Sequence, residues 1–266
     1  MFILDKINRE KLLEIEKAKK KVSIDELKDK PFFNRTVNSL ASSLKKADAS
    51  GIISEFKVKS PSKGIIHPGA KVEEITMGYV KAGVSGLSVL TDQKFFGGSL
   101  ENLVKARNAN PFIPILRKDF ILDPYQIYQA KAFGADVILL IAASLTKSQM
   151  EELAGVAAEL KLEVLAEVHK EEEIEKVPSG VDLIGVNNRD LKTFNVDIQT
   201  SVRLFPLLPS HPVRISESGI SSVENILKLK KTGYSGFLLG ENFMKAENPA
   251  EACFKFIDDI RKTEKL

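Results

Sequence analysis

Eight short runs of apolar, largely β-branched residues recur along the chain, at 52–56, 87–90, 113–117, 137–141, 164–168, 183–186, 213–216 and 237–239. Runs this short and this continuously apolar fit strands covered on both faces. Between them lie stretches of helical period, among them "SLENLVKARNAN" (99–110), "DPYQIYQAKAFG" (123–134), "TKSQMEELAGVAAELK" (146–161) and "SSVENILKLKKTG" (221–233). Ser99, Asp123, Thr146 and Ser221 can cap helix starts, and Gly83, Gly134 and Gly233 can end helices before the next strand. Covered strands alternating with helices imply parallel pairing, and eight such units predict an α/β fold of one kind, a closed (β/α)8 TIM barrel. The structural alternative, an open doubly wound sheet, calls for a glycine-rich dinucleotide fingerprint after the first strand, which the sequence lacks.

Residues 1–47 precede the barrel as a helical extension, with an amphipathic helix predicted over 4–20 (Ile7, Leu12, Leu13, Ile15) that should cover the barrel or its rim. The barrel occupies 48–266. No linker or repeat divides the chain, so one domain, 1–266, is expected. Such a fold needs a large core, and a chain of 266 residues that is 43% hydrophobic supplies one.

The 39 basic and 36 acidic residues are interspersed, and the one lysine cluster, "KAKKK" (17–21), suits a solvated helix end, so no nucleic-acid surface is expected. A single cysteine, Cys253, rules out an internal disulfide and fits a reducing cytoplasm. His67, His169 and His211 are too scattered to suggest a metal site, and no cofactor is called for. The N-terminus is charged and amphipathic, and no apolar stretch approaches the length of a membrane span, so neither secretion nor a membrane partner is expected.

In a barrel of this kind the C-terminal ends of the strands build the active site. The first strand ends in "SEFKVKSPSKG" (54–64), where period-two alternation puts Glu55 and Lys57 on one face and Phe56 and Val58 on the other. Ions on a face that should be core require pairing, a shifted pKa, or a cleft that admits a charged ligand. Other strands end in the same manner: Lys118 in "ILRKDF", Glu167 in "LAEVH", Asn187 and Arg189 in "GVNNRD", and Glu217 and Ser218 in "SESG". The opposite ends, "AGVSG", "FGAD" and "KTGYSG", read as small-residue turns with little chemistry. One rim is therefore catalytic. Phosphate binding after the seventh and eighth strands requires close backbone approach, which Gly219 in "ESGISS" and Gly240 in "LLGENFM" allow, joined by Ser60. Glu241 beside a phosphate should turn its carboxylate away and offer its N–H. Phe96 in "TDQKFFGGS" and Phe120 stand at the same rim, where an aromatic group would fit between them.

Through "EFKVKSPSKG", "SVLTDQKFFGGS", "ILRKDFI", "GADVILLIAASL", "LAEVH", "IGVNNRDL", "ISESGI" and "FLLGENFM", over nearly its whole length, the chain resembles the indole-3-glycerol phosphate synthase family of tryptophan biosynthesis. That resemblance implies a carboxy-lyase that closes the indole ring of 1-(2-carboxyphenylamino)-1-deoxyribulose 5-phosphate, losing carbon dioxide and water, without metal or organic cofactor. It implies that Lys118 is the general acid of ring closure and that Glu167 and Lys57 are base and acid of the later steps, with the assignment of steps open. By the same resemblance Glu55 orients the lysines, Asn187 and Ser218 supply hydrogen bonds, and Glu217 is a supporting carboxylate. Ser60, Phe96, Phe120, Arg189, Gly219, Gly240 and Glu241 are then the residues that bind substrate. Asn188 stands where the family often has serine or threonine, a change the alternation should tolerate by sending it to the other side of the strand. The family also occurs fused to a phosphoribosylanthranilate isomerase barrel; one barrel, hence one activity, is expected here. The expected partner is a small phosphorylated aryl-amino sugar, with no obligate protein partner. Two other readings compete: a Schiff-base aldolase using Lys118 or Lys57, and a non-catalytic barrel that binds phosphorylated metabolites.

Overall fold

A computed structural model describes residues 3–191 and 193–264. Eight parallel strands form a closed barrel: β1 (Ile52–Phe56), β2 (Gly86–Leu90), β3 (Ile115–Lys118), β4 (Val137–Ile141), β5 (Glu163–Val168), β6 (Leu183–Asn187), β7 (Val213–Glu217) and β8 (Gly236–Leu239). Each pairs with its neighbours in sequence, and β8 closes onto β1 through Ile52↔Phe237, Ile53↔Leu238 and Ser54↔Leu239. The helices are α1 (Ile3–Lys21), α2 (Ile24–Lys28), α3 (Leu40–Leu44), α4 (Val72–Ala82), α5 (Leu100–Ala109), α6 (Pro124–Ala132), α7 (Lys147–Glu159), α8 (Glu171–Ile174), α9 (Gln199–Leu204), α10 (Val223–Thr232), α11 (Glu241–Met244) and α12 (Pro249–Thr263). This is the predicted (β/α)8 barrel. Residues 1, 2, 192, 265 and 266 of the expected 1–266 domain lie outside the described residues.

Strand alternation sorts the apolar side chains into two shells. Ile52, Phe56, Leu87, Val89, Ile138 and Leu140 pack in the layer shared with the helices. Ile53, Leu116, Val137, Leu139, Leu165, Leu183, Val213 and Ile215 fill the barrel interior together with Leu40 and Leu44 of α3. Burying side chains of this size stabilises the fold by about 1.5–3 kcal/mol each. Two places later, the inward rows that begin at Ile53, Leu116, Leu165 and Ile215 become Glu55, Lys118, Glu167 and Glu217. The same period that builds the core thus delivers the ions to one end of it.

At the other end α3 acts as a stopper. Its first N–H groups are taken by Glu163 at the start of β5, whose Oε2 accepts from Leu40 N (2.7 Å) and Ala41 N (3.2 Å) and whose Oε1 accepts from Ser39 Oγ. Gly86 is required beneath it, because a Cβ there would lie 2.5 Å from Leu40 Cδ1. "FGAD" also carries a buried acid: Asp136 is fully buried and accepts from Arg35 Nη2 (2.7 Å), Asn38 N (2.7 Å), Ile115 N (2.8 Å) and Arg107. Both its oxygens are engaged by the protein, which makes it a structural acid.

Several boundaries shift by a residue or more, two of them for reasons visible in the hydrogen bonding. β3 begins at Ile115, not 113, since Pro114 has no N–H for the ladder; its carbonyl still accepts from Leu87 N (2.9 Å). The cap of α10 is Ser222, with Ser221 donating its own N–H to Asn225 Oδ1 (3.2 Å). Gly83 and Gly233 end α4 and α10 in the left-handed region, at φ 92° and 118°.

Candidate active site

The inward rows end at a cavity of about 730 Å³, within the usual range for a small-molecule site. Every residue expected on the catalytic rim lines it: Glu55, Lys57, Ser60, Phe96, Lys118, Phe120, Glu167, Asn187, Arg189, Glu217, Ser218, Gly219, Gly240 and Glu241. Ile3, Leu4 and Ile7 of α1 close part of its wall, so the N-terminal helix reaches the rim as expected.

Lys118 stands at the centre. Its Nζ donates to Glu167 Oε2 (2.8 Å), two strands along on β5, and to Glu217 Oε2 (2.7 Å), on β7 across the barrel. Burial alone would push the ammonium towards its neutral form, but Glu167 and Glu217 outweigh it and raise the lysine pKa. The carboxylates divide in the opposite sense. Burial would raise Glu167, yet the Lys118 charge, His169 and a hydrogen bond with Asn187 hold it well below the usual range. Burial raises Glu217 to about 7, and the repulsion of Glu167 reinforces this against the pull of Lys118. Glu217 Oε1 is buried without a hydrogen-bond partner among the described residues. The three groups titrate as a unit in which Glu167 keeps its charge to lower pH than Glu217 does.

At the end of β1, Lys57 Nζ lies 2.9 Å from Glu55 Oε1, the ion pair that alternation had aimed inward. Ser88 Oγ reaches Glu55 Oε2 at 3.5 Å. Glu55 explains Gly240: the glycine has a negative φ of −128°, but a Cβ would lie 2.6 Å from Glu55 Oε1. Close approach is thus needed by this carboxylate in addition to any phosphate. Ser218 and Gly219 both sit in the left-handed region, at φ 66° and 72°. For a serine this is strained, and such strain concentrates at functional turns. A Cβ on Gly219 would meet Val196 Cγ1 at 2.1 Å. Glu241 leans towards Arg189 (3.8 Å), and Arg189 N donates to Asn187 Oδ1 (3.0 Å), tying these loops together.

The aromatic expectation is corrected in one respect. The Phe96 and Phe120 rings pack on one another, with centroids 6.0 Å apart and planes inclined by 37°. A third ring between them would need about 7 Å, two contacts of roughly 3.5 Å each. An aryl group can rest against their shared face instead.

Three buried groups escaped the sequence reading. Lys11 Nζ pairs with Asp92 (3.0 Å) and Asp119 (2.9 Å), clamping α1 onto the strand ends beside Lys118. The signal was present: Lys11 falls midway between Ile7 and Ile15, four residues from each, so it shares their buried stripe. Asp119 also binds Arg117 Nη2 (3.0 Å) and Thr91 Oγ1 (2.6 Å). His169 follows Glu167 at a period of two and approaches it within 3.3 Å. Asn188 turns away from the cavity, as alternation required, and its amide is fully employed by Ser201, Ser216 Oγ and Ser218 O.

A closed (β/α)8 barrel with a lysine–carboxylate cluster lining a cavity at the C-terminal ends of its strands is the architecture of a barrel enzyme. The sequence profile described as "Indole-3-glycerol phosphate synthase" matches residues 4–256. The indole-3-glycerol phosphate synthase of Bacteroides thetaiotaomicron is 47% identical over 261 residues, 97% of this chain and 99% of that protein. That of Salinibacter ruber is 43% identical over 98% of this chain and 97% of its own. Among solved structures, 3-hexulose-6-phosphate synthase from Salmonella typhimurium superposes with a TM-score of 0.64 over 80% of this chain and 99% of its own, at 12% identity, a likeness of fold. The chain belongs to the indole-3-glycerol phosphate synthase family.

Proposed function

We propose that the cluster closes the indole ring of 1-(2-carboxyphenylamino)-1-deoxyribulose 5-phosphate by general acid–base catalysis, releasing carbon dioxide and water as a carboxy-lyase. The observation that carries this reading is Lys118, held between two carboxyls whose proton affinities are pushed apart. Attack of the aryl carbon on the ketone turns the carbonyl oxygen into an alkoxide, a stronger base than any amine. Lys118 therefore gives up its proton as charge develops, and a protonated Glu217 at 2.7 Å can restore it. Loss of carbon dioxide then returns the aryl ring to aromaticity. Departure of the hydroxyl needs an acid and a base: Lys57, oriented by Glu55, serves the first, and Glu167, kept ionised, takes the proton from the new five-membered ring.

Asn187 and Ser218 hold the substrate's polar atoms, while backbone N–H groups around Gly219 and Gly240, with Ser60, Glu241 N–H and Arg189, receive the phosphate. The aryl group lies against Phe96 and Phe120. The barrel with its 1–47 extension carries out this reaction in the cytoplasm. A Schiff-base aldolase needs a lysine whose amine is freed by a depressed pKa, and two carboxylates drive Lys118 the other way.

The test is turnover of the carboxyphenylamino-deoxyribulose phosphate, read by indole fluorescence against a chain that contains no tryptophan. Formation of indole-3-glycerol phosphate is expected. Failure to convert it, together with a borohydride-trapped adduct of a keto-sugar phosphate, overturns the proposal.

A further inference from the structure

His169 is a buried titratable group that the chemistry above leaves unused. It lies immediately beyond β5 with a side chain only 6% exposed. Neither ring nitrogen makes a well-aligned hydrogen bond, yet each faces a carboxylate: Nε2 is 3.3 Å from Glu167 Oε1, and Nδ1 is 3.5 Å from Glu173 Oε2. Glu173 is fixed in turn, because the same Oε2 accepts the backbone N–H of His169 at 2.6 Å, at the start of α8. Glu167 thus has its two oxygens assigned to two different cationic partners, Oε2 to Lys118 and Oε1 to the imidazole. From α8 through the strand ends, negative and basic groups alternate: Glu173, His169, Glu167, Lys118, Glu217.

We infer that His169 is a positioning residue for the base of the reaction: its imidazolium holds Glu167 Oε1 in place and in its charged form, with Glu173 anchoring the ring from behind. This rests on the reading of Glu167 as the base. The groups that face His169 are Glu167, Glu173 and, at longer range, Glu217; Lys170 acts on Glu173. Burial would favour a neutral ring, but Glu173 and Glu167 outweigh it and raise the histidine pKa, so the cation persists to higher pH than in a free imidazole. A neutral imidazole would leave Lys118 as the one cation beside Glu167 among the described residues, and Lys118 is the group that must part with its own proton.

The experiment compares wild-type protein with His169→Gln and Glu173→Gln. Steady-state kinetics should show kcat reduced about tenfold or more in His169→Gln with KM little changed, and a smaller loss in Glu173→Gln, which does not touch the cavity. In protein labelled with carboxyl-¹³C glutamate, the Glu167 resonance, assigned with Glu167→Gln, should titrate about one unit or more higher in His169→Gln. The shift in Glu173→Gln should have the same sign. An unmoved Glu167 midpoint together with wild-type kcat in either variant, even with a lower melting temperature, means that His169 only packs and overturns the inference. The titration needs no substrate, so a wild-type protein without turnover would sink the functional reading while leaving this coupling measurable. If His169→Gln does not fold, Glu173→Gln carries the same two readouts.

Discussion

Lys118 has a carboxylate on either side within 2.8 Å, and removing its charge would leave two acids facing each other in a buried cavity. Lys118→Met should lower kcat by at least roughly 10²-fold while a phosphate-bearing product analogue still binds within about tenfold of wild type. Arginine should not rescue it, since a guanidinium does not release its proton. Near-normal kcat in either variant would move the acid role to Lys57. The paired carboxyls also predict opposite pH slopes of stability. Glu217, raised from its ordinary 4.5 to about 7, binds its proton more tightly in the folded state, so its contribution is present below pH 4.5 and is lost as pH rises to about 7. Glu167, lowered, contributes above its ordinary range and loses that contribution as the pH falls below it. Melting curves of Glu217→Gln should therefore gain on wild type between pH 4.5 and 7, by about 3 kcal/mol at most. A constant difference across that window would show that Glu217 does not titrate there.

Among the elements, α1 is the one whose role was only half legible. Its apolar stripe was readable from Ile7 and Ile15, but the lysine within that stripe gains meaning only when Asp92 and Asp119, more than 80 residues away, arrive beneath it. Lys11→Met should destabilise the protein by about 3 kcal/mol, because two acids lose a buried cation. It should also expose α1 to limited proteolysis before the barrel and raise KM more than it lowers kcat, since Ile3, Leu4 and Ile7 line the cavity. Protease resistance equal to wild type would count against the clamp. The strand-borne residues were legible for a physical reason: a period of two fixes direction locally, so Glu55, Lys57, Lys118, Glu167 and Glu217 could be aimed without knowing the fold in detail. What alternation cannot give is the distance between rings on separate loops. Phe96 and Phe120 follow different strands, and their mutual contact is a product of loop packing. Gly240 shows the same limit, since its requirement comes from Glu55, far away in sequence.

Across the whole molecule the two ends of the barrel divide their labour. Ions at the strand C-termini face a cavity, whereas Asp136 at the opposite end is closed off by Arg35, Arg107 and two backbone N–H groups. Asp136→Ala should lower stability by about 3–5 kcal/mol, leaving buried arginine charge uncompensated, while kcat per folded molecule stays unchanged. A selective loss of kcat at full stability would contradict that division.

On the ribosome, the stopper emerges long before its socket. Leu40 N binds a carboxylate 123 residues further on, and β1 gains its second neighbour only when Phe237, the partner of Ile52, has been made. At about 5–20 residues per second the growing chain carries Leu40 and Leu44 uncovered for on the order of ten seconds or more. The apolar residues most in need of shelter during translation are therefore these first ones, which wait for the last strand to arrive.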